Sequence, residues 1–336
     1  MKILITGGAG FIGSTIGSAL EDAGHTPIIL DSLITGRIEF TKGRVFYKGD
    51  IADGNLVKTI FSDHPDIYAA IHCAALIVVP ESMVKPYEYY RENVGKSLEL
   101  FHTLIEVGCK RLVFSSSASI YDVVPGFMVT ETSPLNPISP YARTKFIMEM
   151  ILKDYCAAYS LQGIALRYFN PIGADPKLRT GLQIANPSHA IGRLVDVQLG
   201  KIPQFTITGT DYETRDGTGV RDYIHVWDLA QAHVRAVENF DNAFKNTDNP
   251  ENNYLVINLG TGKGVTVREL VTAFESVVGE EINKADGKRR PGDTAGSFCN
   301  SDTARKLLGW EAKLSIADGI SSSLKWGAKR SQILPY

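Results

Sequence analysis

The sequence predicts an α/β protein in which a parallel β-sheet is covered by helices on both faces. Through the first half of the chain, short apolar segments alternate with helical segments. Continuously apolar strands of this kind are buried on both sides, which is typical of parallel sheets. The chain has 336 residues, of which 44% are hydrophobic. That is enough material for one large core or two modest ones.

The pattern predicts the elements in order. The predicted strands are KILIT (2–6), TPIILD (26–31), RVFYKGD (44–50), AAIHCAA (69–75), RLVFSSS (111–117), GIALRYFN (163–170) and LVINLG (255–260). The predicted helices are IGSTIGSALEDAG (12–24), NLVKTIFSDH (55–64), NVGKSLELFHTLIEVG (93–108), YARTKFIMEMILKDYCAAYS (141–160) and VRELVTAFESVVG (267–279). Gly24 is expected to end the first helix. Beyond residue 170, segments 175–190 and 206–226 are loop-like or rich in glycine, threonine and charge, and 242–253 is a predicted exposed polar loop.

Charge and cysteine content exclude several functional classes. The net charge of −2 gives no electrostatic footprint for nucleic acid or an anionic membrane. The four cysteines are far apart without metal-ligand spacing, so no metal is expected and reduced thiols are the default. We see neither a signal peptide nor a membrane span and expect a soluble cytoplasmic protein.

The segment TGGAGFIGS directly follows the first strand and opens the first helix. Gly7, Gly10 and Gly13 could form an ordinary tight turn, but this strand–glycine–helix order places a diphosphate at a helix N-terminus. Asp31 ends the second strand, where a carboxylate can bind an adenosine ribose and would repel a 2′-phosphate. The sequence therefore predicts a Rossmann-like site that takes NAD rather than NADP. Asp50 either lies near the adenine or is a solvated turn acid.

Tyr141 and Lys145 are four residues apart on one predicted helix and project from the same face. A nearby ammonium favours the phenolate, so the pair can act as a base near neutral pH. The alternative is an amphipathic helix with one surface lysine. Ser115, Ser116 and Ser117 end a strand, where a hydroxyl can reach a ligand in the crevice; a plain polar loop is the competing interpretation.

Several segments together carry a family resemblance. TGGAGFIGS, SSSASIYD, YARTK and RYFNP resemble the extended short-chain dehydrogenase/reductase enzymes. DGTGVRDYIHVWDLA, PESMVKPYEYY and RRPGD are similar to the UDP-glucose (UDP-galactose) 4-epimerases. The resemblance extends nearly from end to end.

This resemblance implies a mechanism. Tyr141 removes the proton of the sugar 4-hydroxyl while the C4 hydride passes to NAD, and the 4-keto sugar turns and takes the hydride back on its other face. Ser117 binds the reacting oxygen. Lys145 holds the nicotinamide ribose and lowers the pKa of the tyrosine.

The resemblance also implies the binding residues, a UDP-sugar substrate and a homodimer. The implied cofactor contacts are Gly7, Gly10, Phe11, Ile12, Gly13, Asp31, Asp50, Ile51, Cys73, Ala74, Ala75, Asn93, Ser115, Tyr141, Lys145 and Tyr168. The implied substrate contacts are Ser117, Tyr141, Asn170, His189, Arg221, Arg290, Asp293 and Ser297. Residues 1–172, rejoined by about 215–265, are expected to form the NAD-binding domain, and 173–336 mainly a smaller α/β UDP-sugar-binding lobe.

Three positions depart from the family pattern. Asp122 stands where glycine is common, and NPSHA replaces an Asn-Asn-Leu-like run, which makes His189 a candidate only. Ile77 stands where many such epimerases have a lysine that touches the cofactor. Because isoleucine cannot donate a hydrogen bond, we expect NAD to be held less tightly.

The substrate breadth rests on Ser297. Epimerases restricted to glucose and galactose resemble one another in carrying a bulky tyrosine there, whereas those that accept N-acetylated sugars carry something small. We expect both sugar pairs to be substrates, unless Ser297 lies in a solvated loop.

Other activities remain as alternatives. A UDP-glucuronate 4-epimerase would differ only in the C6 pocket. A nucleotide-sugar 4,6-dehydratase carries an acid pair where this chain has Ala118 and Ser119, which disfavours it. A non-catalytic NAD-binding protein typically lacks the tyrosine or the lysine.

Overall fold

A seven-stranded parallel sheet forms the centre of the protein, as the computed structural model describes it for residues 1–248 and 251–335. The strands are β1 Lys2–Thr6, β2 Thr26–Asp31, β3 Val45–Lys48, β4 Ile67–His72, β5 Arg111–Ser117, β6 Met128–Val129, β7 Gln162–Tyr168, β8 Asn170–Ile172, β9 Phe205–Thr208, β10 Val220–Arg221, β11 Tyr223–His225, β12 Tyr254–Leu259, β13 Val265–Thr266, β14 Lys284–Gly287 and β15 Gly296–Cys299. The order in the large sheet is β12-β7-β5-β4-β1-β2-β3.

Helices cover both faces of this sheet. They are α1 Phe11–Asp22, α2 Gly54–Asp63, α3 Val79–Ser82, α4 Pro86–Tyr90, α5 Lys96–Glu106, α6 Pro140–Ala158, α7 Ala190–Gln198, α8 Val226–Glu238, α9 Phe240–Lys245, α10 Val267–Val278, α11 Asp302–Leu308 and α12 Ile316–Ile333. Short 3₁₀ turns lie at Ile38–Thr41 and Ala118–Ile120, and a π-helical turn at Arg91–Gly95. The predicted α/β, Rossmann-like fold is confirmed, and each predicted strand and helix is present within a few residues of its expected bounds.

The strand order creates the crevice in which ligands are expected. The chain runs outward from β1 to β2 and β3, then returns to place β4 on the other side of β1. At such a switch point the loops after β1 and β4 leave in opposite directions and open a cleft at the carboxyl edge. The predicted cofactor residues after β1, β2, β3 and β4 therefore lie along one edge.

Two apolar cores lie on the two faces of the sheet. One packs α1, α8, α9 and α11 against it, and the other packs α2, α5 and α6. A third core joins α7, α10 and α12 to β9 and β11. Three smaller sheets, β13-β10-β15-β6, β11-β8 and β14-β9, lie apart from the large sheet. α11 belongs to the same apolar core as the large sheet. The chain therefore contributes to this core beyond residue 265, where the returning segment was expected to end.

One loop expectation is wrong in part. The predicted polar loop 242–253 begins inside α9, because Phe240, Ala243 and Phe244 are buried in the core beside α8. Apolar residues spaced three and four apart are a helical signal, and the surrounding asparagines obscured it. Residues 249 and 250 of that segment lie outside the described residues.

Candidate active site

The glycine loop after β1 packs too closely for side chains at Gly7, Gly8 and Gly13. Gly7 has a left-handed φ of 71°, and a Cβ there would lie 2.6 Å from the backbone nitrogen of Ala74. A Cβ on Gly13 would overlap the Gly7 carbonyl group. These glycines bring the ends of β1 and β4 against the start of α1.

Packing does not explain Gly10, the remaining glycine of the loop. A Cβ on Gly10 would approach the protein no closer than 3.4 Å, at the Gly7 carbonyl oxygen. Gly10 is the N-cap of α1, with no side-chain cap and no acidic residue in the first turn. The first-turn amides, including those of Phe11, Ile12 and Gly13, are therefore not capped by an acid, and a helix N-terminus of this kind favours an anion. The cradle fits a dinucleotide diphosphate.

Asp31 lies beside this loop at the end of β2. It is only 7% exposed, and its two carboxylate oxygens accept the amide hydrogens of Ala9 at 3.0 Å and Leu33 at 2.8 Å. Burial raises the pKa of the carboxyl group, and the two amide hydrogen bonds oppose that rise. The position and the remaining lone pairs suit the ribose contact predicted from the sequence.

Asp50 is more than a solvated turn acid. It follows β3, and Lys96 donates to its Oδ2 at 2.5 Å while the amide of Ala52 donates to Oδ1 at 3.0 Å. Burial acts to raise the pKa of Asp50, but the bonds from Lys96 and Ala52, together with the charges of Lys96 and Arg91, lower it. Ile51 next to it is buried. Sequence spacing does not predict this pair, because Lys96 lies on α5, far from Asp50 in the chain.

The segment after β4 is fixed by a side chain from the π-helical turn. Asn93 accepts the amide hydrogen of Leu76 at 2.7 Å and donates to its carbonyl oxygen at 2.9 Å and to Thr144 at 3.1 Å. Cys73, Ala74 and Ala75 lie just before this clamp, beyond the end of the strand. Burial raises the pKa of Cys73 to about 12, so its thiol stays protonated at neutral pH.

Tyr141, Lys145 and Ser117 come together at the end of β5. Ser139 caps α6 by accepting the Ala142 amide hydrogen at 3.1 Å, with Pro140 as the first helical residue. One turn later Lys145, 4% exposed, donates from Nζ to the carbonyl oxygen of Ser115 at 2.8 Å. The hydroxyl of Ser117 lies near the phenol of Tyr141 and donates to Ser119 Oγ at 2.9 Å.

The pKa of Tyr141 lies in the opposite direction from the sequence-based expectation. Burial raises it above the ordinary value, and the nearby Ser117 hydroxyl only reduces that rise. Burial also lowers the pKa of Lys145 to about 8, which leaves the ammonium mostly charged at pH 7. In the chain alone, loss of solvent sets the direction of the Tyr141 shift. A positive charge bound nearby would favour the phenolate.

The other members of this region serve the scaffold or line the crevice. Ser116 donates to Glu149, whose carboxylate pairs with Arg167 at 2.7 Å inside the protein. Tyr168, also buried, contacts the ring nitrogen of His233 through its hydroxyl. Burial raises the pKa of Tyr168 well above 10, so it remains a neutral phenol.

Arg221 and Ser297 lie side by side in the small sheet. β10 and β15 are parallel partners, and their register places these two residues opposite each other. The guanidinium donates to the carbonyl oxygens of Val220 at 2.8 Å and Thr294 at 3.1 Å. Asn170 is exposed on β8, and its backbone N–H donates to the main-chain carbonyl oxygen of Asp222 at 2.9 Å.

Arg290 joins the last group of predicted substrate residues. It donates to Asp293 Oδ2 at 2.8 Å and to the Ser188 carbonyl oxygen at 3.0 Å. His189 caps α7, where Nδ1 accepts the Gly192 amide hydrogen at 3.3 Å. Burial, and then the charge of Arg290, lowers the pKa of His189 to about 4. The ring is thus neutral at pH 7 and already used in capping.

The positions that depart from the family pattern have simple local structures. Asp122 accepts the amide hydrogen of Val123 at 2.9 Å and a side-chain bond from Asn136 at 3.2 Å. It is not among the described non-glycine residues with left-handed φ, so this turn does not require glycine. Ile77 is 54% exposed.

The described residues contain neither a membrane-spanning helix nor a cluster of metal ligands. No helix in residues 1–248 and 251–335 is both long and apolar enough to cross a bilayer. Within the same ranges, no three His, Cys, Asp or Glu side chains are grouped so that they could hold a metal ion.

Comparisons with known proteins were made on the sequence and on the fold. Residues 3–260 match the model of the NAD dependent epimerase/dehydratase family. The chain is 41% identical over 327 residues to a UDP-glucose 4-epimerase of Azospirillum brasilense, covering 97% of this chain and 91% of the relative.

Two solved structures superpose along nearly the whole chain. A Stenotrophomonas maltophila UDP-glucose-4-epimerase with bound NAD and formylated UDP-arabinopyranose gives a TM-score of 0.92 at 36% identity, covering 99% of this chain and 100% of that one. A Bifidobacterium longum UDP-glucose 4-epimerase in complex with NAD⁺ and UDP gives 0.91 at 35% identity, with 99% and 100% coverage.

Proposed function

The chain belongs to the NAD-dependent epimerase/dehydratase family, and we propose that it is a UDP-sugar 4-epimerase that interconverts UDP-glucose and UDP-galactose with NAD as cofactor. The observation that carries this proposal is the meeting of Tyr141, Ser117 and Lys145 at the sheet edge that also holds the glycine loop. Relatives and solved structures of this activity match nearly the full length.

The three side chains have distinct roles in the reaction. Tyr141 takes the proton of the sugar 4-hydroxyl and later returns it, and Ser117 holds the oxygen that changes between alcohol and ketone. Lys145 holds the nicotinamide ribose and keeps a positive charge beside the phenol. Bound NAD would supply the acceptor and donor for the C4 hydride. Since the sugar must present both faces, it turns while still attached to its nucleotide.

The nucleotide end must stay anchored during that turn. Arg221 and Arg290 carry permanent charges and forked donors suited to a diphosphate. Asn170, His189 and Asp293 belong to the same site in our proposal. Its support is that Arg290 bonds both Asp293 and the residue before His189, which brings two distant segments of the chain together.

We extend the substrate range to the N-acetylated sugar pair. Ser297 lies next to Arg221 in the small sheet and is partly exposed, so it is not in a detached solvated loop. A serine leaves room for an acetamido group that a tyrosine would obstruct.

The domain division and the environment complete the proposal. We assign 1–172, rejoined by about 215–265, to NAD binding, and mainly 173–336 to the UDP-sugar. β12 lies in the large sheet, which supports the return; α11 extends that return to 302–308. The four cysteines are free, as is usual in the cytoplasm.

A homodimer through α5 and α6 is part of the proposal. These helices pack side by side, and Leu98 on α5 and Met150 on α6 are 37% and 44% exposed. Exposed large apolar side chains on two adjacent helices favour coverage by a second copy. Light scattering of the purified chain would test the mass.

The experiment for the activity is conversion of UDP-galactose to UDP-glucose by the purified protein. Tyr141→Phe should lower kcat by at least about 100-fold, the usual range for a lost acid–base group, while UDP binding remains. Tyr155→Phe on the same helix is the control, because Tyr155 packs with Phe101 and Tyr159 away from the site. Near-normal turnover of Tyr141→Phe would refute the mechanism.

A further inference from the structure

Asp222 is a buried carboxylate that no function yet uses. It lies between β10 and β11, directly after Arg221, and is fully buried. None of the ion pairs in the described chain includes it. Its Oδ1 accepts the backbone and hydroxyl hydrogens of Thr261 at 2.8 and 2.6 Å. Its Oδ2 accepts the amide hydrogens of Gly262 at 3.0 Å and Cys299 at 3.3 Å.

These bonds connect segments of different sheets through Asp222. Thr261 and Gly262 form the loop after β12, a strand of the large sheet, whereas Cys299 ends β15, which carries Ser297. The Asp222 main-chain carbonyl oxygen accepts the amide of Asn170 on β8. One residue therefore ties the large sheet to strands that carry Asn170, Arg221 and Ser297.

The packing leaves no room for change around the carboxylate. A Cβ on Gly260 would lie 2.5 Å from Asp222 Oδ2 and 2.6 Å from the Cys299 sulfur. Burial raises the pKa of Asp222, and the bonds from Thr261 oppose that rise. A buried carboxylate without a counter-ion is destabilising unless its lone pairs are satisfied. Every donor that converges here is thus needed.

We propose that Asp222 is a positioning residue for the nucleotide-sugar half of the site, which it sets by holding the loop after β12 and β15 around Arg221 and Ser297. It acts through those residues and contacts no reacting atom. The proposal rests on the proposed function, because the half-site it positions is the one assigned to the UDP-sugar. Its consequence is that loss of Asp222 weakens nucleotide-sugar binding selectively.

The test is Asp222→Asn in the full chain with its cofactor. The amide keeps the shape, but its NH₂ must face either the Thr261 donors or the Gly262 and Cys299 amides, so two donors lose their acceptor. We expect the KM for UDP-galactose and the Kd for UDP to rise about tenfold, which is 1.4 kcal/mol. kcat should change less than threefold and bound NAD should be unchanged.

Asp228→Asn is the matched control. Asp228 is also buried and accepts backbone amides, those of Lys313 at 2.9 Å and Leu314 at 2.7 Å, but it lies in α8 beside α11. This variant should lower Tm without changing KM. If both variants raise KM equally at equal loss of Tm, the role of Asp222 is only structural and the proposal is refuted.

If Asp222→Asn does not fold, a milder variant tests the same proposal. Thr261→Val removes only the hydroxyl bond to Oδ1 and should raise the Kd for UDP two- to threefold with NAD retained. An unchanged Kd would overturn the proposal.

UDP binding also separates the Asp222 proposal from the proposed activity. If the unmodified protein binds UDP but does not epimerise UDP-galactose, the activity is disproved, and the role of Asp222 can still be measured through the Kd for UDP.

Discussion

Lys145 should make the cofactor-free protein less stable at neutral pH. The ammonium is buried, and burial lowers the pKa of Lys145 from 10.5 to about 8. Below pH 8 the folded protein must hold a charge that it disfavours relative to the unfolded chain. Lys145→Met keeps the length of the side chain and removes the charge.

The magnitude follows from the pKa difference. A difference of one pKa unit corresponds to 1.36 kcal/mol, so the fall from 10.5 to about 8 corresponds to about 3 kcal/mol. Methionine cannot donate to the Ser115 carbonyl oxygen, a bond of 2.8 Å in the unmodified protein, and that loss removes about 1 kcal/mol. We expect Lys145→Met to be more stable by about 2 kcal/mol at pH 7.

The direction of the pKa shift determines how the stability advantage of Lys145→Met changes with pH. Both states hold the proton below pH 8, so the destabilisation is complete there. Between about 8 and 10.5 the unfolded chain binds more protons than the folded one, and stability rises with pH. The advantage of Lys145→Met should therefore shrink to about zero near pH 10.

Urea denaturation of nucleotide-free protein at pH 7 and pH 10 measures this difference. Lys153→Met, at an exposed position of the same helix, is the control. Its free energy of unfolding should equal that of the unmodified protein at both pH values. The reasoning is refuted if Lys145→Met is less stable at pH 7, or if its advantage does not change with pH. In either case Lys145→Met should lose turnover, since in our proposal Lys145 holds the nicotinamide ribose.

Two further predictions concern the cofactor and the sugar. Nucleotide released by acid should be NAD, because the Asp31 carboxylate would repel a 2′-phosphate in a partly desolvated site; recovery of NADP would disprove this. We also expect incomplete NAD occupancy after dialysis, and Ile77→Lys should raise it, since a lysine there can donate; full occupancy in the unmodified protein would contradict the expectation. Ser297→Tyr should depress kcat/KM for the N-acetylated pair much more than for UDP-galactose, within the range of about 1–3 kcal/mol for a pocket wall. Equal effects on both sugars, or no acetylated turnover in the parent, would remove Ser297 as the determinant.

The sequence predicted the elements whose signal is local. The central strands are continuous apolar runs because they are buried on both faces, and the glycine loop and Tyr141–Lys145 pair are contained in short segments. The two-residue strands β10 and β13 have no periodicity. Their positions depend on register with distant partners such as Ser297. The Lys96–Asp50 pair was missed for the same reason.

The direction of the Tyr141 pKa could not be predicted from spacing. A lysine one turn away suggests a lowered value, but the extent of burial is a property of the tertiary structure. Here burial raises the pKa of the phenol and lowers that of the lysine. Both shifts disfavour charge in a desolvated crevice, so the bound cofactor must supply part of the electrostatic environment in which the phenolate forms.

Lone pairs distinguish a ligand-binding acid from a positioning acid. Among the described residues no cation pairs with Asp31 or Asp222; both are buried, and burial raises the pKa of each. Each oxygen of Asp31 accepts a single amide bond, from Ala9 or Leu33, so each retains a lone pair beside the open glycine loop. Each oxygen of Asp222 accepts at least two bonds. Asp31 can therefore bind ribose hydroxyls directly, whereas Asp222 can affect a ligand only through the strands it holds.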